Sequence, residues 1–382
     1  MKAELIVAGL RASGEGYPNA EQTIRLLGER GDYAIRDLGR ALPADLHLWK
    51  LSRLPPHRLL LALARLGLGN LLSLVRVLRA ATPDSRVYVP YPSVFFLWLL
   101  SWLPAARRPY CIADAYISVW DSMFRDRARG GDSAASRWIK RIEGRALRSA
   151  ARVLVDTEAN RACLIEDFGL DPNRVRSLPL AIDAAAFRAA AAYRSQPDRA
   201  LTVLFVGTLI PLHGVPTILQ ALQCLLDSPS QRDRFRFRFL GDGQLGPLLN
   251  EFVQRHEPER VAWVREWQPL DAVAREIAAA DICLGVFGGA GKAARVLPFK
   301  LYMYLASGRA VVSQAQLSVP SGAPAPPLEA VPVDDPEALA ERLVALADDP
   351  QRRLAAAAAG AGYFERWLGA EALLRAWDAL DT

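Results

Sequence analysis

Three cations stand within nine residues of one another in the last quarter of the chain: Lys292, Arg295 and Lys300. They belong to the stretch 292–313, KAARVLPFKLYMYLASGRAVVS, which contains no carboxylate. Glycines precede it at positions 288, 289 and 291, and glycine lets backbone approach a ligand without a Cβ in the way. Pro298 favours the first turn of a helix, whose free N–H groups also attract anions. This combination predicts a diphosphate site, with a solvated basic loop as the alternative.

Other candidate residues follow strand-like runs in the same half of the chain. In open parallel sheets, ligands bind at the carboxyl ends of the strands, so the loops after strands are the ones to inspect. His213 is the titratable member of this set, although a lone histidine is more often structural. The candidates on these loops are Gly207, Thr208, His213, Gly241, Trp267, Gly289 and Gly291.

Strand and helix patterns alternate in two separate runs, which predicts an α/β protein with two doubly wound domains. The first run starts with the apolar segment 3–10 and the glycine-bearing loop RASGEGYP. The second starts at Leu201 with TVLFVGTL. We expect a first domain over residues 1–196, a second over 197–365 and a returning C-terminal helix over 366–382, with a hinge near 196–199.

The composition favours two buried cores and an anionic partner. Of the 382 residues 51% are apolar and 23% charged, and the net charge is +6. Such a balance excludes global disorder and suits a phosphate ligand, an acidic membrane surface or a nucleic acid, although an arginine-rich composition alone is the alternative. The four cysteines are far apart, which argues against a metal site or a disulfide framework. The N-terminal run reads as a strand rather than a signal peptide.

A basic apolar segment lies in the first half. Residues 57–81, HRLLLALARLGLGNLLSLVRVLRAA, form a helical pattern, and SVFFLWLLSWLP follows a strand. Arginines and aromatic residues of this kind suit a membrane interface, whereas the alternative is that both segments are core helices. The residues concerned are Arg58, Arg65, Arg76, Arg79, Phe95, Phe96, Trp98 and Trp102.

Several of these segments together resemble glycosyltransferases of the GT-B architecture, family 4 in particular. The segments are FVGTLIPLHGVPTILQAL, FLGDGQLGPLL, ADICLGVFGG, LPFKLYMYLASGRAVVS and DDPEALAERLVALADDP, and in the first domain VLVDTEANRACLIEDFGL with SLPLAID. The resemblance implies two Rossmann-like domains facing a central cleft, with an acceptor-binding domain first and a nucleotide-sugar domain second. It also implies transfer with retention of configuration, no metal and no separate cofactor.

The chain departs from the family pattern at the donor site. Thr208 and His213 stand where many members carry arginine and lysine. Arg295 and Met303 stand where many carry two glutamates, the second of which commonly holds the nucleotide ribose. Methionine accepts hydrogen bonds poorly, so ribose recognition must differ here.

The resemblance places the acceptor in the first domain. The candidate catalytic residues are Asp114, Asp121 and Arg127, and Gly14 and Gly16 mark an acceptor-side loop. Asp121 can orient an acceptor hydroxyl and Arg127 can bind a phosphate, unless they form only a surface ion-pair cluster.

The function implied is transfer of a sugar from a nucleotide-diphosphate donor to a saccharide or lipid-linked acceptor in bacterial cell-surface polysaccharide or lipopolysaccharide assembly. We expect a cytoplasmic protein, peripheral at the inner membrane and without a nucleic-acid partner. The alternatives are a transferase-like binding subunit without turnover and a nucleotide-sugar epimerase of the same fold.

Overall fold

The computed structural model describes residues 3–12, 18–43, 55–125, 133–188 and 199–380. The chain divides into two compact units, Met1–Ala181 with Leu374–Thr382, and Ile182–Leu373.

The first unit is built on a parallel sheet of six strands within the described residues, in the order β3-β1-β5-β6-β7-β8. A short parallel pair, β2-β4, continues beyond β1 and β3. The strands are β1 Ala3–Val7, β2 Leu10–Arg11, β3 Tyr33–Asp37, β4 Arg40–Ala41, β5 Arg86–Val89, β6 Tyr110–Asp114, β7 Arg152–Val155 and β8 Val175–Ser177. The helices are α1 Asn19–Arg30, α2 Pro56–Ala80, α3 Val94–Leu100, α4 Ala134–Leu147 and α5 Glu158–Phe168.

Alternate residues along a strand point to opposite faces of the sheet, and each face carries its own core. Ile6 joins one cluster with residues of α2, α3, α4 and α5. Leu5 joins the other with Leu27 of α1 and with Trp377 near the chain end. Helices therefore cover both faces, which is the doubly wound arrangement.

The second unit repeats this plan with the strand order β11-β10-β9-β12-β13-β14, again parallel throughout. Its strands are β9 Leu201–Val206, β10 Phe235–Leu240, β11 Val261–Val264, β12 Ile282–Leu284, β13 Ala310–Gln314 and β14 Glu329–Val331. Its helices are α6 Ala184–Arg188, α7 Val215–Asp227, α8 Gly246–Val253, α9 Leu270–Ala279, α10 Lys292–Arg295, α11 Phe299–Ala306, α12 Pro336–Asp348 and α13 Pro350–Tyr363, and α14 Ala370–Asp378 leads into the chain end. The predicted fold class is confirmed in each unit.

Candidate functional site

The loops after β9 and β10 lie edge to edge in the second unit. Gly207 N donates to Leu240 O at 2.9 Å, and Leu209 N donates to Asp242 O at 3.1 Å. Gly241 has a φ of +113°, and a Cβ there would overlap the carbonyl oxygen of Gly207. Only glycine at this position allows the two loops to touch.

The loop after β12 packs on the loop after β9 in the same way. Gly214 has a φ of +65°, and a Cβ on it would overlap the carbonyl group of Phe287. A Cβ on Gly288 would overlap the carbonyl oxygen of Leu212. The side chain of Gln314 fixes Gly289, because it accepts from Gly289 N at 3.1 Å and donates to Gly289 O at 3.0 Å. Three loops at the carboxyl ends of neighbouring strands thus form one surface. Where their glycines meet, the backbone of this surface carries no side chains.

Lys300 lies beneath this surface with its charge buried. Its side chain is 4% exposed, and its Nζ lies 3.8 Å from the centre of the Phe205 ring. A Cβ on Gly207 would be 3.1 Å from Nζ, so the ammonium touches the loop after β9. Nζ has no hydrogen-bond partner in the described part of the chain. Burial lowers the pKa of Lys300 well below its usual range. A buried ammonium with three unused donors calls for an anionic ligand.

His213 is the second titratable group at this point. Its Nδ1 contacts the carbonyl oxygen of Thr208, so Nδ1 carries the proton and Nε2 is the acceptor in the neutral ring. Burial, with a smaller contribution from the charge of Lys300, lowers the pKa of His213 well below its usual range. The ring is therefore neutral near pH 7 and supplies hydrogen bonds rather than positive charge.

Lys292 and Arg295 form the two ends of the single-turn helix α10, and both are partly exposed. α10 contacts the 3₁₀ turn Pro211–His213, which places the two cations beside the glycine-rich loops. α11 begins directly after Pro298, as the sequence predicts, and carries Lys300 in its first turn. The structure thus brings all three cations of the opening stretch to the same edge of the sheet.

Three positions of this region, the end of β12, Trp267 and Met303, qualify the interpretation of the sequence. The sequence predicts a strand ending at Phe287, but β12 ends at Leu284 because Ser313 Oγ accepts from Val286 N at 3.1 Å in place of a backbone carbonyl. Trp267 follows the edge strand β11 and is 68% exposed, so it lies at the margin of the loop surface. Met303, at the position where many members of the family carry glutamate, is buried one turn after Lys300.

Phe205, Tyr304 and Gln314 belong to the site but were missed by reasoning from the sequence. Phe205 supports the ammonium of Lys300, and Tyr304 Oη accepts from Val206 N at 2.9 Å. The signal in the sequence is weak: Phe205 belongs to the almost continuously buried β9, and Gln314 is a polar residue at the end of a buried strand. Neither pattern distinguishes a site residue from a core residue.

In the first unit, Asp114 and Asp121 already have protein partners. Asp114 ends β6 fully buried and accepts from Tyr116 N at 3.2 Å. Asp121 pairs with Arg125 at 3.2 Å, and Arg125 pairs with Asp167 at 2.6 Å. The described geometry of Asp121 therefore matches the ion-pair alternative. Arg127, Gly14 and Gly16 lie outside the described residues.

Glu143 holds the segment that carries Asp121, and it was not singled out from the sequence. This buried carboxylate of α4 accepts from Val119 N at 2.9 Å and from Trp120 N at 2.7 Å. Burial, partly opposed by these bonds, raises the pKa of Glu143 to about 7. The Trp120 ring is flanked by Lys140 Nζ, 4.1 Å from its centre, and by the guanidinium of Arg125 at 4.7 Å.

The described residues contain no group of three or more His, Cys, Asp or Glu side chains placed to hold a metal ion. The site of the second unit is thus made of glycine backbone, one neutral imidazole and three cations. Two doubly wound α/β units in one chain, the second of which carries such a site, are typical of one class of enzyme, the glycosyltransferases that use nucleotide-activated sugars.

Comparison with known proteins supports this class over most of the chain. The family described as "Glycosyl transferase 4-like domain" matches residues 6–181, and the family described as "Glycosyl transferases group 1" matches residues 200–349. The chain belongs to the GT-B glycosyltransferases of the family 4 type.

Curated relatives are similar over part of the chain only. A D-inositol 3-phosphate glycosyltransferase of Kineococcus radiotolerans is 35% identical over 106 residues, 26% of this chain and 24% of that protein. One of Acidothermus cellulolyticus is 30% identical over 130 residues, 32% of this chain and 28% of that protein. The similarity thus spans about a quarter of the length of these relatives.

Solved structures share the fold at low identity. Anabaena HepE in complex with UDP has a TM-score of 0.65 at 13% identity, covering 100% of both chains. A UDP-forming trehalose-phosphate synthase from Burkholderia xenovorans has a TM-score of 0.70 at 13% identity, covering 100% of this chain and 98% of that one.

Proposed function

We propose that this chain transfers a sugar from a nucleoside-diphosphate donor to a saccharide or lipid-linked acceptor. The observation that carries the proposal is the buried ammonium of Lys300, which has no partner among the described residues and touches the glycine loop after β9. A phosphate oxygen is the ligand that this group lacks. The glycines of the three loops have no Cβ atoms, so a diphosphate can approach the backbone there.

The reaction requires a diphosphate to leave while the sugar becomes oxocarbenium-like, by analogy with glycoside hydrolysis. Lys292, Arg295 and Lys300 stabilise the charge that develops on the departing phosphate. Three side-chain cations at one place give the site positive charge without a metal ion, so we propose a metal-independent reaction with no separate cofactor. Retention of anomeric configuration is the outcome that the family implies.

The acceptor is proposed to bind the first unit, where Asp114, Asp121 and Arg127 are the candidate catalytic and binding groups. We propose a saccharide or lipid-linked acceptor in cell-surface polysaccharide or lipopolysaccharide assembly, with the protein on the cytoplasmic face of the inner membrane. The structural neighbours described as UDP complexes make UDP the first nucleotide to test.

A donor screen tests the proposal. Purified protein is incubated with UDP-, GDP-, ADP- and TDP-sugars, with and without EDTA, and nucleotide release is followed together with the anomeric proton signals of the product. We expect release and transfer from one donor class, unaffected by EDTA, and loss of both in Lys300→Ala. Absence of turnover from every donor would contradict the enzymatic proposal.

A binding subunit without turnover is the second candidate, because the buried Met303 stands where the family usually places a ribose-binding glutamate. Calorimetric titration with nucleotide separates the two functions. Binding with no transfer or hydrolysis supports the subunit, whereas binding with transfer supports the enzyme.

A further inference from the structure

Helix α2 leaves a large apolar face uncovered. Eight of its leucine and valine side chains are 36–70% exposed, namely Leu60, Leu61, Leu63, Leu68, Leu71, Leu72, Val75 and Leu78. Among the described helices, α2 is the one that is long and apolar enough to cross a membrane. Core helices of soluble proteins can have the same length and composition. Only 33% of its most apolar window is buried. The other side of α2 packs on the first unit through Leu66, Leu74 and Val77, so the helix lies along the protein surface.

A row of arginines borders this apolar face. Arg58, Arg65 and Arg76 are seven and eleven residues apart, which are close to whole numbers of helical turns, so all three lie along one line on α2. All are exposed, and so is Arg79 near the end of the helix. No carboxylate occurs between Pro56 and Ala80. The exposed leucines therefore lie beside a row of exposed arginines on a helix that carries no carboxylate of its own.

The next helices extend the same surface. α2 contacts α3, and α3 contacts α4. Trp102, just after α3, is 61% exposed, and the Arg145 guanidinium of α4 lies 3.8 Å from its ring centre. Trp138 is 63% exposed and precedes Arg145 by seven residues, which places both on one face of α4. The single carboxylate of α4, Glu143, is buried. We call the exposed residues of α2 with Trp102, Trp138 and Arg145 the α2 surface.

We propose that the α2 surface binds an anionic lipid bilayer, with α2 lying in the plane of the interface. Leucines enter the boundary of the acyl chains, arginines meet the lipid phosphates, and tryptophans anchor at headgroup depth, as interfacial helices do. A second copy of the chain fits this surface poorly, because a two-fold contact would bring cations against cations with no exposed carboxylate on α2, α3 or α4 to pair them. This inference concerns the first unit alone and does not depend on the donor site.

Vesicle flotation of the full chain tests the charge component. Phosphatidylcholine vesicles are compared with vesicles that also contain phosphatidylglycerol, at low and high salt. We expect flotation with the anionic vesicles that weakens at high salt. The triple variant Arg58→Glu, Arg65→Glu, Arg76→Glu should partition at least about a hundredfold more weakly, given the free energy that each cation near an anionic surface contributes.

A matched control changes three exposed arginines of the second unit, Arg236→Glu, Arg255→Glu and Arg275→Glu, and thus alters net charge equally. It should float like the wild type within about threefold, since these three arginines are not part of the α2 surface and exposed charges are screened by salt. Equal loss in both triple variants would mean that net charge, not the α2 surface, governs binding. If the glutamate variant unfolds at a lower temperature, Arg→Gln at the same positions replaces it.

Two further measurements test the apolar component and the alternative partner. Brominated lipids should quench the fluorescence of Trp102 and Trp138. The double variant Trp102→Phe, Trp138→Phe should lose this quenching, although it retains the exposed Trp267 of the second unit. Light scattering should show that the wild type is a monomer. The double variant Leu68→Ser, Leu71→Ser should have the same molecular mass but should float less with anionic vesicles. A dimer that this variant dissociates, or no flotation of the wild type, would overturn the proposal.

Discussion

Removing the charge of Lys300 should raise stability and weaken donor binding at the same time. Lys300→Met keeps an unbranched apolar side chain next to Phe205 while deleting the buried ammonium. Burial, which lowers the pKa of Lys300, disfavours the charged side chain in the folded protein, so the variant should be more stable than the wild type near neutral pH. A charge-assisted bond to phosphate contributes roughly 1.5–3 kcal/mol, so nucleotide affinity should fall about ten- to a hundredfold.

The pH dependence supplies a second signature of the same group. Because the folded pKa of Lys300 is lowered, the unfolded chain holds the proton more tightly between that pKa and the ordinary lysine value, and the stability of the wild type rises with pH across this window. Lys300→Met should lack this rise. Bound diphosphate should raise the pKa again, so binding takes up protons in the same window.

Chemical denaturation as a function of pH and calorimetric titration of the nucleotide measure these quantities. Lys140→Met is the control: Lys140 pairs with Asp167 at 3.0 Å near the surface, so its loss should cost up to about 1 kcal/mol and leave nucleotide affinity unchanged. Unaltered nucleotide affinity in Lys300→Met would refute the phosphate role. Lower stability of this variant would show that the ammonium has a favourable partner in the free protein.

Four other changes have defined outcomes. Arg295→Ala should weaken nucleotide binding or transfer by about tenfold or more without unfolding, as measured by titration and turnover, and wild-type values would contradict its role. Met303→Glu should lower thermal stability and nucleotide affinity because it buries a carboxylate; tighter binding would instead show that a lost ribose contact had been restored. Gly214→Ala should destabilise by more than ~1 kcal/mol, since it combines a φ of +65° with overlap against backbone, whereas Gly362→Ala, which meets no atom within 4 Å in α13, should not destabilise. The wild type should lose stability as the pH rises from 4.5, the ordinary pKa of a glutamate, to about 7, because in this range the folded protein keeps the proton of Glu143 and the unfolded chain does not. Glu143→Gln should not show this loss, which denaturation as a function of pH would measure.

The sequence was sufficient for the plan of the two sheets and for the location of the cation-rich site. The patterns of strands and helices can be recognised in short stretches of sequence. Lys292, Arg295 and Lys300 are close together in the chain, so these three cations can be assigned to one site without knowledge of the tertiary structure. The burial of Lys300 was not predictable, because it arises from contact with Phe205, a residue 95 positions earlier on β9.

The first half of the chain shows the same limit. Of the aromatic residues expected at a membrane surface, Phe96 is fully buried and that expectation was wrong, while Trp102 is exposed. α3 is short and apolar on all sides, so periodicity cannot tell which of its aromatic residues face outward. The exposed leucines of α2 were also not singled out, since an apolar helix usually buries its leucines.

Two polar side chains on the inner side of α2 fix its rotational register. Asn70 Oδ1 accepts from Leu10 N at 3.1 Å, and Ser73 Oγ accepts from Gly9 N at 2.9 Å, just beyond the end of β1. If α2 were rotated to bury its leucines, the amides of Gly9 and Leu10 would lose their hydrogen-bond acceptors in the interior. Each loss would cost about 1–3 kcal/mol of stability. The helix is therefore locked at one angle, and its outward-facing leucines are a consequence of satisfying the backbone beneath it.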